Sequence, residues 1–221
     1  MKNEADKKAV SAAGVLVCFA LKEEKAAFQE IAGRNAAVSI LVTGIGQKNA
    51  EKSLRDFLAG KIPARVLTCG FAGALVSDLA IGAVVFETDD ARLREALAAA
   101  GARPAKFHCT DRIATTSLEK QELRQGTHAD VVEMESGVIS RICRERGLPC
   151  ATVRVISDAV DEDLPLDFNL LSKPDRSMDY GKLVWAVAKA PGKIGALRRL
   201  QKQTRFAAEQ LAAVLAKVIS P

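Results

Sequence analysis

Residues 129–140 read ADVVEMESGVIS. Two valines run straight into Glu133 and Glu135, with Met134 between them, and an apolar pattern at helical spacing follows. A short apolar run bounded by turn signals reads as a buried strand. The segment after it, ESGVISRICRERG, reads as a helix closed by Gly147 and Pro149. The stretch is therefore a strand-to-helix unit carrying two carboxylates at its turn. On a continuing strand both acids face one way and Met134 the other. Where the strand breaks into a helix that alternation fails, and the acids are free to take separate roles. A carboxylate accepts two hydrogen bonds, which matches the paired hydroxyls of a ribose. Equally, an acid at a helix start is favourable as a cap, by about 0.3–1 kcal/mol.

The same unit recurs along the chain. Strands are expected at 14–21 (GVLVCFAL), 37–44 (AVSILVTG), 64–75 (ARVLTCGFAGAL), 82–88, 129–134 and 150–158 (CATVRVISD). Helical patterns separate most of them, among them KEEKAAFQEIAG and QKNAEKSLRDFLAG. The segment 106–117 holds one or two short strands, LEKQELRQG is a short helix, and the last 40 or so residues read as helix interrupted at APGKIG. The strands are near-continuous Val/Ile/Leu runs, as expected when both sheet faces are covered. The expected fold is a three-layer α/β/α sandwich around a mixed, largely parallel sheet. It fills one domain over 14–221, behind a polar leader at 1–13.

A chain of 221 residues can bury a substantial core. No apolar run reaches membrane-spanning length, and the start is too polar for a secretory signal. Cytoplasmic residence is the expectation. A net charge of +5 permits an anionic ligand without demanding nucleic acid, and with one Trp and one Tyr a base-stacking platform is poorly supplied. The five cysteines include no CxxC pair and sit largely in apolar runs, as reduced, buried thiols do. His108 adjoins Cys109, but no second pair has zinc spacing, so neither metal nor cofactor is expected.

In open α/β sheets ligands gather at the carboxyl ends of strands. Strand one delivers Lys22, Glu23 and Glu24 there, and strand two delivers TGIG, with Gly44 and Gly46 ahead of a helix N-terminus. Strand three delivers CGFAGA, including Phe71, Ala72 and Gly73. The central strand delivers Glu133, Met134 and Glu135, and the last delivers Ser157 and Asp158, then Asp161, Glu162 and Asp163. The Gly44–Gly46 corner suits an anion or a ribose hydroxyl, or is a plain turn. The full dinucleotide fingerprint is missing because its last position is Asn49, which argues against a nicotinamide-dependent enzyme. Asp158 ends a strongly apolar strand, a setting that keeps a carboxyl protonated for general-acid work. The three acids after it read as a solvated loop.

Taken together, ALKEE (20–24), TGIGQKNAEKSL (43–54), CGFAGAL (69–75), VVEMES (131–136) and VRVISDAVDED (153–163) resemble the purine nucleoside phosphorylase and nucleosidase superfamily. The resemblance implies cleavage of the C–N bond between ribose and a purine. It makes Asp158 the acid that protonates the departing base, with Ser157 positioning it. Glu135 would hold the ribose hydroxyls with Glu133 nearby, and Met134 would pack beneath the sugar. Glu24 would orient an attacking water. Gly44, Gly46 and a mobile Arg112 would serve phosphate or water, Phe71, Ala72 and Gly73 would line the nucleophile corner, and Ile113 would contact the base.

Two departures stand out. Phe71 replaces a small or hydroxyl residue, and the segment between Thr88 and Val132 is short. Both leave room for a binder that has lost turnover. The C-terminal VWAVAKAPGKIGALRRLQKQT resembles the hopanoid-associated phosphorylases, which implies an adenosyl-lipid substrate with phosphate as co-substrate. From Tyr180 to Ala208 there is no acid, so a basic helix there suits either peripheral membrane contact or an ordinary solvated face. Relatives imply a homo-oligomer. Glu24 favours water as nucleophile and the branch resemblance favours phosphate.

Overall fold

The computed structural model describes residues 11–33, 35–171, 182 and 189–219. Among them, eight strands form one sheet: β1 (Ser11–Phe19), β2 (Val38–Val42), β3 (Ile62–Ala74), β4 (Val84–Thr88), β5 (Arg103–Pro104), β6 (Phe107–Cys109), β7 (Val131–Glu133) and β8 (Cys150–Asp158). The helices are α1 (Lys22–Ala32), α2 (Gln47–Gly60), α3 (Ala91–Ala99), α4 (Ser117–Thr127), α5 (Ser136–Glu145) and α6 (Ile194–Ile219). The strand order is β2-β1-β3-β8-β4-β5, with β7 joining β3 and β6 to one side. The β1–β2, β1–β3, β3–β8, β4–β5 and β6–β7 pairs are parallel. Only β3–β7 and β4–β8 are antiparallel. This is the mixed, largely parallel sheet that the sequence pattern implied.

Strand alternation builds the layers. On one face Val15, Val17 and Phe19 join Leu67, Cys69, Val153 and Val155 beneath α1, α3 and the second half of α6. On the other, Leu16, Cys18 and Val66 pack against Leu54 and Leu58 of α2 and Val138, Ile139 and Ile142 of α5. Phe28 of α1, fully buried, also stacks on Phe19 with ring centroids 5.8 Å apart. All five cysteines are free thiols, three of them buried.

Three boundaries differ from expectation. β1 starts at Ser11, inside the expected leader, because Ser11 and Ala12 pair with Ile62 and Pro63 of β3; residues 1–10 lie outside the described residues. β7 ends at Glu133, and Glu135 is already the N-cap of α5, with φ −127° and ψ −26°. The two-residue β5 contains Pro104, which a reading of sequence alone takes as a breaker. At the C-terminus, Pro191–Lys193 form one turn of 3-10 helix and α6 runs on from Ile194. Most of the VWAVAK segment before it lies outside the described residues.

Only the second half of α6 packs, through Ala207, Ala208, Leu211, Leu215 and Val218. Its first half leaves Ile194 and Phe206 exposed. Among the described residues no helix is long and apolar enough to cross a membrane.

Candidate active site

β3 is the spine of the site. Glu24, on the first turn of α1, turns inward and is buried. Its Oε1 accepts the Phe71 N–H at 2.9 Å and its Oε2 the Leu21 N–H at 2.8 Å. The approach is close enough that only glycine serves at position 70: a Cβ there would meet Glu24 Oε1 at 2.6 Å. Three residues further along β3, a Cβ on Gly73 would meet Asp158 Oδ2 at 3.0 Å, and Gly73 is in register with Asp158 of β8. Glu24 and Asp158 therefore address the two ends of a stretch on the order of 10 Å long, about the span of a nucleoside.

Glu135 closes the third side. Its Oε1 accepts the Gly46 N–H at 2.8 Å. Gly46 is the N-cap of α2 at φ 83° and ψ 162°, a conformation that a side chain resists. Arg154 lies between the acids on β8, with NH2 2.6 Å from Glu133 Oε2 and 3.6 Å from Glu135 Oε2. It also donates to Thr68 Oγ1 at 3.3 Å. Among the described residues its buried Nε has no hydrogen-bond partner.

Glu133 and Glu135 have separate partners, as the break at the strand end permits. Glu133 accepts from Ser136 Oγ at 2.5 Å, Ser136 N at 2.9 Å and Glu135 N at 3.0 Å, which caps α5. With Arg154 as well, both its oxygens are engaged inside the protein; of the two readings the sequence left open, cap or sugar contact, this geometry is that of a cap. The half-buried Met134 lies between the two acids.

Electrostatics follow from three carboxyls sharing one guanidinium. Burial pushes Glu24 above its ordinary value, held back by the Phe71 and Leu21 amides and by Arg154. Burial lifts Glu135 to about 7, opposed by Arg154 and reinforced by Glu133 and Glu24. Burial also works against the charge on Glu133, but Arg154 and the Ser136 donors outweigh it and hold that carboxyl low. Arg154 is disfavoured by burial, yet its three acid neighbours hold its charge firmly.

Asp158 is 7% exposed. Its Oδ1 accepts from Ser157 Oγ at 2.7 Å, the pairing expected of Ser157, and its Oδ2 pairs with Lys120 Nζ at 2.6 Å. The sequence pattern suggested a lone protonated carboxyl; the structure places a buried ammonium against it. The loop after Asp158 is tied down more than a solvated loop would be: Ser117 N donates to Asp163 Oδ1 at 2.7 Å and Leu164 N to Thr115 O at 2.8 Å.

The remaining candidates fall as follows. Phe71, Ala72 and Gly73 line β3 beside Glu24 and Asp158. Gly44, at φ 82°, begins the corner that Gly46 ends. Arg112 pairs with Glu119 in an exposed ion pair beside α4. The Ile113 backbone is held from both sides by Asn169: its N–H donates to Asn169 Oδ1 at 2.9 Å, and its carbonyl accepts from Nδ2 at 3.0 Å.

Sequence reading missed Lys120, Arg154 and Asn169. Arg154 carried a signal, a lone charge at the centre of VRV in a strand covered on both faces. Lys120 and Asn169 carried none, sitting in a polar helix and a polar loop. A separate recess of about 440 Å³, lined by residues including Thr88, Lys106 and Asp130, contains none of these acids. Since β4 runs antiparallel to β8, Thr88 opens on the opposite rim.

Residues 86–189 match the family model of the phosphorylase superfamily. Over 174 residues the chain is 28% identical to the 5′-methylthioadenosine/S-adenosylhomocysteine nucleosidase of Actinobacillus succinogenes, spanning 63% of this chain and 74% of that relative. The corresponding nucleosidase from Neisseria meningitidis, solved in complex with methylthio-immucillin-A, superposes with a TM-score of 0.68 at 20% identity, over 93% of this chain and 98% of that one. Futalosine hydrolase of Helicobacter pylori superposes with a TM-score of 0.65 at 18% identity, over 92% and 97%. These likenesses carry the nucleoside phosphorylase-like fold across nearly the whole chain. The matched segment begins on β4 and takes in the VVEMES and VRVISD stretches. Over that segment the chain is similar to the phosphorylase superfamily.

Proposed function

We propose that the protein hydrolyses the N-glycosidic bond of a purine nucleoside-type substrate and releases adenine. The observation that carries this reading is the convergence of Glu24, Glu135 and Asp158 around the Gly70–Gly73 stretch of β3. Asp158 stands where the departing base needs a proton. Glu135 stands where ribose hydroxyls need an acceptor. Glu24, with its raised carboxyl, takes the proton of the attacking water. The Ile113 backbone, once released by Asn169, presents one donor and one acceptor to the edge of the base. Its chemistry matches what the related nucleosidases are named for.

Water is favoured over phosphate by charge. A phosphate would meet Glu24 and Glu135 with Arg154 already paired to Glu133, and it would have to displace Glu135 from the Gly46 amide. A buried Arg154 N–H without an acceptor is a group that an ordered water satisfies.

For the substrate tail, an adenosyl-lipid draws support from α6. Its first half exposes Ile194 and Phe206 together with Arg198, Arg199, Lys202 and Arg205, and Lys193 stands just before it. Gln203 of that half reaches Glu162, in the loop that follows Asp158, at 3.3 Å.

The test is incubation with adenosine, methylthioadenosine and an adenosyl-lipid, with and without phosphate, identifying both products. Free adenine and free sugar, formed at a rate independent of phosphate, are expected. A sugar 1-phosphate would replace hydrolysis by phosphorolysis. Tight binding of a riboside with no adenine released from any substrate would make the protein a binder.

A further inference from the structure

Lys120 is the most deeply buried ammonium among the described residues, with no exposed surface. It stands on α4, away from every motif that marks the site in the sequence. Its three N–H groups have three acceptors: Asp158 Oδ2 at 2.6 Å, Ala159 O at 2.6 Å and Glu162 O at 2.9 Å. Burying a lysine is costly unless it is paired and fully hydrogen-bonded. Here all three partners come from Asp158 and the four residues after it. The other acids nearby have their own partners: Glu162 accepts from Gln203, Asp163 from Ser117, and Glu119 from Thr115 and Arg112.

We infer that Lys120 is a positioning residue for base release: it aims Asp158 and supplies the proton that Asp158 passes to the purine. This rests on the hydrolytic reading above. As the C1′–N9 bond breaks, its electron pair leaves with the purine. Lys120 Nζ gives a proton to the Asp158 carboxylate, and Asp158 hands it on to N7, ending as the carboxylate beside a neutral lysine. The water oxygen bonds to C1′ and a water proton goes to Glu24. Glu24 releases that proton to solvent and, once product has left, Asp158 takes one from solvent and passes it back to Lys120, so water is the one reactant consumed. Ser157, donating to Oδ1, leaves Oδ2 as the oxygen shared with Lys120.

The test compares Lys120→Met and Lys120→Gln with the wild type on two substrates, methylthioadenosine and its N7-methylated form. The methylated purine already carries its positive charge and departs without an acid. Glutamine keeps N–H donors for the Ala159 and Glu162 carbonyls but has no proton to give, so it decides the matter if the methionine variant does not fold. Expected is a loss on the order of 100-fold in kcat on the unmodified nucleoside, with little loss on the methylated one. The alkaline limb of the pH profile should move to lower pH on the unmodified substrate alone. Equal losses on both substrates in a folded variant would reduce Lys120 to a structural support and overturn the inference, as would unchanged kcat on the unmodified one. If the wild type releases base from neither substrate, the hydrolytic reading falls and this inference with it.

Discussion

Glu135 accepts the amide proton of Gly46 at 2.8 Å, across 89 residues of sequence. That bond places a carboxyl on the N-terminus of α2, where positive dipole and free amides would otherwise receive an external anion. It also ties the central acid to the second-strand corner. Because the carboxyl is buried beside two other acids, it titrates at about 7 rather than 4.5. A raised folded value means the native state binds this proton more tightly than the unfolded chain does. Its contribution to stability is complete below the ordinary value and is lost as pH rises through about 7. Glu135→Gln removes that loss. Denaturant melts across the range should show the variant gaining on the wild type as pH rises, by on the order of 3 kcal/mol in total. A pH-independent difference would contradict the assignment.

Glu24→Gln keeps the acceptor for the Phe71 amide but cannot take a proton from water. Turnover should fall by about 10²–10⁴-fold, while calorimetry shows a transition-state-like riboside analogue still binding. Retained turnover would remove Glu24 as the base.

Arg154→Met strands Glu133 as a buried, unpaired carboxylate. Breaking one side of such a pair costs about 3–5 kcal/mol, measured as a lower denaturation midpoint with unchanged slope. The double variant with Glu133→Gln should recover part of that loss, since the uncompensated charge goes with it. No recovery would show that Arg154 acts chiefly by packing.

The carboxamide of Asn169 satisfies both backbone groups of Ile113, and adenine presents a comparable neighbouring donor and acceptor. If the base uses Ile113, Asn169 competes for it. Asn169→Ala should then lower KM by about fivefold, the worth of roughly one net hydrogen bond, and leave kcat nearly unchanged. A raised KM would mean that Asn169 supports the site instead.

Much of this protein was legible from local pattern. Alternating Val/Ile/Leu strands and amphipathic helices declare an α/β/α sandwich because both sheet faces must be covered, and the carboxyl ends of those strands declare where acids will gather. Glu24, Glu135 and Asp158 were visible for that reason. The break between Glu133 and Glu135 was visible as a junction, though which acid would cap α5 was not. What only the tertiary structure decided is the pairing of charges. Lys120, Arg154 and Asn169 each bond to residues 21 to 56 positions away, and although the lone charge of Arg154 stood out in its strand, nothing in the sequence named its partner or theirs. Secondary structure follows from short-range periodicity, but the state of a buried charge follows from which opposite charge the fold sets beside it, and that neighbour is chosen by strand order and helix placement.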